Sequence, residues 1–174
     1  MVIYRVATPE DRKHAEAIDN SFTTDTILEV TATDGEFRVC PVPVDPPLRK
    51  VYPDDEEETD GQEHVIVAVD TEGDVRGAIT LAYAPWNRRL HIADLRVAPT
   101  HRGRGIGTAL MERALTHGRE LSARTAWLEV TNVNAPAVRA YRRLGFALCG
   151  LDTSLYVGTE SEGETALFMS RGCE

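Results

Sequence analysis

Residues 102–107 read RGRGIG, placed between LHIADLRVAPTH (90–101) and TALMERAL (108–115). Three glycines and two arginines in six residues describe a loop whose backbone can approach an anion closely, with cationic side chains beside it. Upstream, Leu90 to Val97 reads as a strand. Downstream, Ile106, Ala109, Leu110, Ala114 and Leu121 recur at helical spacing, while Glu112, Arg113 and Arg119 fall mostly elsewhere on that surface. A strand, a glycine loop and a helix start form an anion site, because first-turn N–H groups point outward and the helix dipole favours negative charge there. A nucleotide-triphosphate loop would need Gly-Lys-Ser/Thr, and Gly107-Thr108 lacks the lysine. A dinucleotide fingerprint would need G-x-G-x-x-G, whereas these glycines run G-x-G-x-G. The pattern that remains is R-x-x-G-x-G after a strand ending in Leu-x-Val.

A second signature lies downstream. Thr125 to Thr131 is rich in β-formers, and Asn134 with Pro136 supplies an N-cap and a first-turn proline for a new helix. That helix carries Val138, Tyr141 and Leu144 and should stop at Gly145 before Phe146 opens another strand. Its string is N-x-x-A-x-x-x-Y-x-x-x-G-F, carried by Asn134, Ala137, Tyr141, Gly145 and Phe146.

With these two signatures in this order the chain resembles the GNAT superfamily of N-acetyltransferases. The resemblance implies an α/β (α+β) fold over residues 1–174 as one domain. Its sheet would be mixed and mostly antiparallel, with six or seven strands flanked by helices and splayed between the fourth and fifth strands. It implies acetyl coenzyme A as co-substrate and no metal. Leu95, Arg96 and Val97 would meet the pantetheine arm through the main chain. The loop and helix start, Arg102, Gly103, Arg104, Gly105, Ile106, Gly107 and Thr108, would hold the pyrophosphate. Asn134 and Ala137 would lie at the pantetheine, with the Tyr141 hydroxyl near the sulfur.

Acetyl transfer to an amine needs an uncharged nucleophile, a polarised thioester carbonyl and a proton for the departing thiolate. A backbone N–H near Leu95 to Val97 would polarise the carbonyl, and Tyr141 would be the acid. Period-2 alternation puts Ile92, Asp94 and Arg96 on one strand face and Trp127, Glu129 and Thr131 on one face of another. Asp94 and Glu129 are therefore both candidates for the base. Cys149 has no neighbouring His or acid to activate it, so direct transfer is expected rather than a cysteine intermediate.

The rest of the chain narrows the acceptor. The net charge of −9 opposes nucleic acid or an anionic membrane as partner and admits a cationic one. Three cysteines without C-x-x-C spacing, no long apolar run and no signal-like N-terminus fit a cytoplasmic protein. Near the N-terminus, Val2 to Val6 reads as a strand and Thr8-Pro9 as the start of a helix to about Asn20. Between Ser21 and Lys50, Asp34-Gly35 marks a turn, and Pro41, Pro43, Pro46 and Pro47 imply an extended or irregular segment that cannot be a central strand. An acidic loop at 53–64 holds seven carboxylates between Asp54 and Glu63. Strands Val65 to Val69, Val75 to Tyr83 and Leu90 to Val97 then follow as a meander.

This order, with PWNRRLHIADLRV (85–97) and LDTSLYVGTESE (151–162), is similar to streptothricin acetyltransferases within the family. That resemblance implies the β-lysine amine of a polycationic antibiotic as acceptor, and hence antibiotic resistance. Asp54, Asp55, Glu56, Glu57 and Glu58 would gather the cation, Trp86 would offer a cation–π face and Tyr156 would line the acceptor side. Other amines of the family remain open: an aminoglycoside, a polyamine, or a protein lysine or N-terminus. So do a non-catalytic acyl-coenzyme-A-binding module and a homodimer.

Overall fold

In the computed structural model, the described residues are 1–53 and 63–174; the acids at 54 to 58 lie outside them. Strand β1 (Ile3–Val6) leads into helix α1 (Pro9–Glu16), which ends one turn short of the expected Asn20. Thr8 caps α1: its hydroxyl accepts from Asp11 N at 3.2 Å, and the Asp11 carboxylate accepts from Thr8 N at 2.7 Å. Arg5 pairs with the same carboxylate, so Asp11 is held well below the usual carboxylate range, chiefly by that guanidinium.

Strands β2 (Phe22–Thr33) and β3 (Glu36–Lys50) form a two-stranded antiparallel ribbon where the prolines imply an extended or irregular segment. Two of the prolines, Pro41 and Pro43, are tolerated for a geometric reason. Leu28 faces Pro41, yet Leu28 N donates to the Asn132 carbonyl at 2.9 Å, so the main chain of that pair points away from the ladder. A proline opposite it costs the ribbon no hydrogen bond, and Pro43, two residues on, shares its orientation.

The main sheet contains β1, β4 (His64–Val69), β5 (Val75–Ala84), β6 (Arg89–Val97), β7 (Thr125–Thr131), β8 (Ala147–Asp152) and β9 (Ala166–Gly172), in the order β1-β4-β5-β6-β7-β9-β8. The β6–β7 pair is parallel; β1–β4, β4–β5, β5–β6 and β8–β9 are antiparallel. This mixed sheet of seven strands flanked by helices is the expected fold. Between the fourth and fifth strands the paired register spans only Arg89–Thr125 to His91–Trp127.

The chain forms two compact units. One comprises residues 1–20, 63–127 and 172–174, the other 21–53 and 128–171. In the first, α1 covers one sheet face, where Ala15 and Ile18 meet Val65, Val67, Val69, Val75 and Ala78. Helix α2 (Ile106–Glu120) buries Ile106, Leu110, Met111, Ala114 and Leu115. It seats closely over Gly77, where an added Cβ would lie 2.9 Å from Ile106 Cγ2 and 3.2 Å from Leu110 Cδ1. In the second unit, helix α3 (Ala135–Arg143) buries Ala135 and Val138. Among the described residues no helix is long and apolar enough to cross a membrane.

Candidate active site

The glycine loop is shaped by its backbone. Gly103 and Gly105 have φ of +74° and +84°, a region costly for residues with a Cβ, and nothing lies within 4 Å of where a Cβ would sit. Gly105 is the N-cap of α2 and has no side chain to satisfy the first-turn N–H groups. The start of a fifteen-residue helix is thus bare toward its open side. The two arginines divide. Arg102 is spent on the protein, donating Nε to the Val97 carbonyl at 3.0 Å and Nη2 to the Asp19 carbonyl at 2.6 Å, which ties the loop entry to the segment after α1. Arg104 has no ion-pair or hydrogen-bond partner among the described residues and lines an open hollow with His101, Tyr4 and Ile106.

Strand β6 reaches the loop through a bulge. Thr80 faces Asp94 and Leu81 faces Ile92, so Ala93 is the extra residue. The bulge corrects the strict alternation expected of this strand. Ile79 and Leu81 share a face and lie opposite Leu95 and Ile92, so Ile92 and Leu95 point one way while Asp94 and Arg96 point the other. Beyond the bulge, Ala98 N donates to the Arg76 carbonyl at 2.8 Å, which makes Val97–Gly77 a non-hydrogen-bonded pair. The main-chain groups of Leu95 and Val97 therefore point away from β5, past the end of the three-pair ladder with β7.

In the second unit, Asn134 caps α3. Its Oδ1 accepts from Ala137 N at 3.1 Å and its Nδ2 donates to the Tyr52 hydroxyl at 2.9 Å. Tyr141 lies half-buried on α3, with its ring set edge-on to Phe146 at 6.0 Å.

The family model for the acetyltransferase (GNAT) family matches residues 31–146, which contain both signatures. The chain belongs to the GNAT acetyltransferase family. The acetyltransferase is 51% identical to a streptothricin acetyltransferase of Streptomyces lavendulae, over 98% of this chain and 94% of that one. The crystal structure of a nourseothricin acetyltransferase superposes with a TM-score of 0.93 at 53% identity, covering 99% of both chains. A Bacillus anthracis protein solved in complex with acetyl coenzyme A has the same fold, with a TM-score of 0.81, 23% identity and 99% of both chains covered.

The expected site residues of the acetyltransferase fall into distinct environments. Asp94 is committed to Arg96, whose Nε lies 2.6 Å from its carboxylate and whose Nη1 reaches the Glu16 carbonyl at 2.9 Å. Glu129 accepts from the Tyr156 hydroxyl at 2.8 Å, bringing together two residues singled out for different reasons. Burial pushes the Tyr156 phenol well up from its ordinary range, and the Glu129 hydrogen bond adds to this. Trp86 is 87% exposed at the β5–β6 turn. This places it across the length of β6 from the glycine loop, roughly 25–30 Å away at about 3.3 Å per residue.

Four residues that sequence reasoning missed shape these surroundings. Gly77 admits the start of α2. Asn132 is buried and bridges two segments, donating Nδ2 to the Leu28 carbonyl at 2.8 Å and accepting from Thr165 N at 2.8 Å. Lys50 pairs with Glu164 at 2.6 Å. The signal for Asn132 was present in TNVNAP (131–136), where the first asparagine stands beside the recognised cap.

Proposed function

We propose that this protein transfers the acetyl group of acetyl coenzyme A to a primary amine of streptothricin, the β-lysine amine, and so inactivates a polycationic antibiotic. The observation that carries this reading is the 51% identity to a streptothricin acetyltransferase along nearly the whole of both chains. The loop fits the co-substrate. The open space over Gly103 and Gly105, the uncapped start of α2 and the uncommitted Arg104 suit a pyrophosphate held by backbone N–H groups and one guanidinium.

The outward main chain of Leu95 and Val97 takes the pantetheine amides, and a β6 N–H polarises the thioester carbonyl. Ile106, Gly107 and Thr108 supply the first-turn N–H groups. Arg102 and Arg96 position these parts through the carbonyls and the carboxylate they hold. Asn134 fixes the start of α3 and with it the placement of Tyr141. An N–C bond forms as the C–S bond breaks; Tyr141 protonates the departing sulfur, and the amine proton reaches solvent by way of Asp94. The acids at 54 to 58 raise the local concentration of the cationic acceptor.

Free-thiol release from acetyl coenzyme A tests the reading, with streptothricin in one reaction and aminoglycosides, polyamines and lysine peptides in others. Rapid release with streptothricin is expected. Release only with another amine would keep the chemistry and discard this acceptor.

A further inference from the structure

The unit that carries α3 contains one built cluster of charge around the Tyr156 hydroxyl. Glu129 accepts from that hydroxyl at 2.8 Å, and Glu164 and Tyr52 lie near enough to act on its charge. Glu164 is fully engaged: Oε2 meets Lys50 Nζ at 2.6 Å and Oε1 accepts from the Thr131 hydroxyl at 2.5 Å. Lys50 is engaged in turn, donating also to Ser161 Oγ at 2.9 Å, with its ammonium 5.7 Å from the Tyr52 ring centroid. This ion pair cancels its own charge. Glu129 is different, because among the described residues it has no cationic partner and its carboxylate is exposed.

The neutral Tyr156 hydroxyl, kept protonated by its burial, pins Oε1 and leaves Oε2 oriented and negatively charged. A carboxylate held by a neutral donor, beside an already neutralised pair, is a receptor for one added cation.

We propose that Glu129, oriented by Tyr156, binds a spectator ammonium group of the acceptor, one that is not acetylated, and thereby selects amines bearing more than one positive charge. This rests on the reading that the acceptor is a polycationic amine. Glu129 is then a specificity-determining residue and Tyr156 a positioning residue. The proton of the reacting amine leaves by Asp94 and water.

The test combines steady-state thiol release with calorimetric binding of streptothricin, for wild type, Glu129→Gln and Tyr156→Phe. Glu129→Gln is expected to raise the streptothricin KM and Kd roughly tenfold or more. Its kcat and its KM for acetyl coenzyme A should stay within about threefold of wild type, and the salt dependence of KM should flatten. Tyr156→Phe should raise the same KM by roughly threefold to tenfold. Thermal midpoints close to wild type confirm that both variants fold, as exposure of the Glu129 carboxylate predicts.

A Glu129→Gln variant that loses kcat at unchanged KM would overturn the proposal in favour of a base. Unchanged kinetics would overturn it as well. Wild type that binds streptothricin without turnover would sink the functional reading alone, leaving the variant's Kd to decide the inference; absence of binding to wild type would overturn both.

Discussion

Gly77→Ala places one methyl group where β5 meets the start of α2. The new Cβ would stand 2.9 Å from Ile106 Cγ2, 3.2 Å from the Arg96 carbonyl oxygen and 3.2 Å from Leu110 Cδ1. The Arg96 oxygen belongs to the sheet and cannot yield. Ile106 is β-branched, so its Cγ2 moves only if its χ1 leaves the preferred well or the helix moves. Relief to ordinary contact needs roughly 0.5–1 Å of displacement. Overpacking of this kind costs about 1–3 kcal/mol, which lowers Tm by roughly 2–12 °C for a domain of this size. Since Ile106 directly follows Gly105, the displaced residue is the first of the proposed pyrophosphate site. The KM for acetyl coenzyme A should therefore rise on the order of tenfold, with a smaller change in the acceptor KM. Differential scanning fluorimetry and initial rates at varied acetyl coenzyme A give both quantities. Unchanged Tm together with unchanged KM would refute the argument that α2 is seated through Gly77.

Tyr141→Phe should lower kcat by about 10²–10⁴-fold with little effect on acetyl coenzyme A affinity, read from steady-state rates and equilibrium titration; an unchanged kcat removes the acid role. Gly105→Glu puts a charged Cβ-bearing residue at φ +84° where an anion is meant to bind. It should abolish detectable binding of acetyl coenzyme A by calorimetry. Asn132→Ala orphans the buried Leu28 carbonyl and Thr165 N–H, at about 1–3 kcal/mol each, so a fall in Tm of several degrees is expected. Asp11→Asn should destabilise at neutral pH by about 1–2 kcal/mol. Because the folded-state pKa of Asp11 is depressed by Arg5 and Thr8, its contribution is complete above the unfolded pKa and is lost as pH falls through the folded one. The Tm difference between wild type and variant should therefore shrink in strong acid; a difference independent of pH would show that the carboxylate charge is not the cause.

The glycine loop, the Asn134 cap and the Tyr141 helix could be read in the chain because each depends on chemistry within a few residues. Positive φ needs glycine, a helix start needs a side-chain acceptor, and a helix face needs a fixed spacing. What escaped depends on partners distant in sequence. The bulge at Ala93 shows only against β5, and it reverses the face assigned to Asp94 relative to Ile92. Gly77 looks like any strand glycine until Ile106 arrives from 29 residues away. The prolines of β3 argued against a central strand and were right about that. They did not announce a ribbon, since the permission comes from Asn132, far along the chain, taking the outward bonds of Leu28. The side-chain bonds of Arg102 to the Asp19 carbonyl and of Asn134 to the Tyr52 hydroxyl likewise join residues more than eighty positions apart.

Mass spectrometry of streptothricin after incubation with the purified protein and acetyl coenzyme A reads the transfer and its acceptor in one experiment. A product heavier by one acetyl group is expected, with fragmentation placing it on the β-lysine amine and antibacterial activity lost in parallel. Unmodified streptothricin, in a reaction where the same protein acetylates a different amine, would contradict the proposed function.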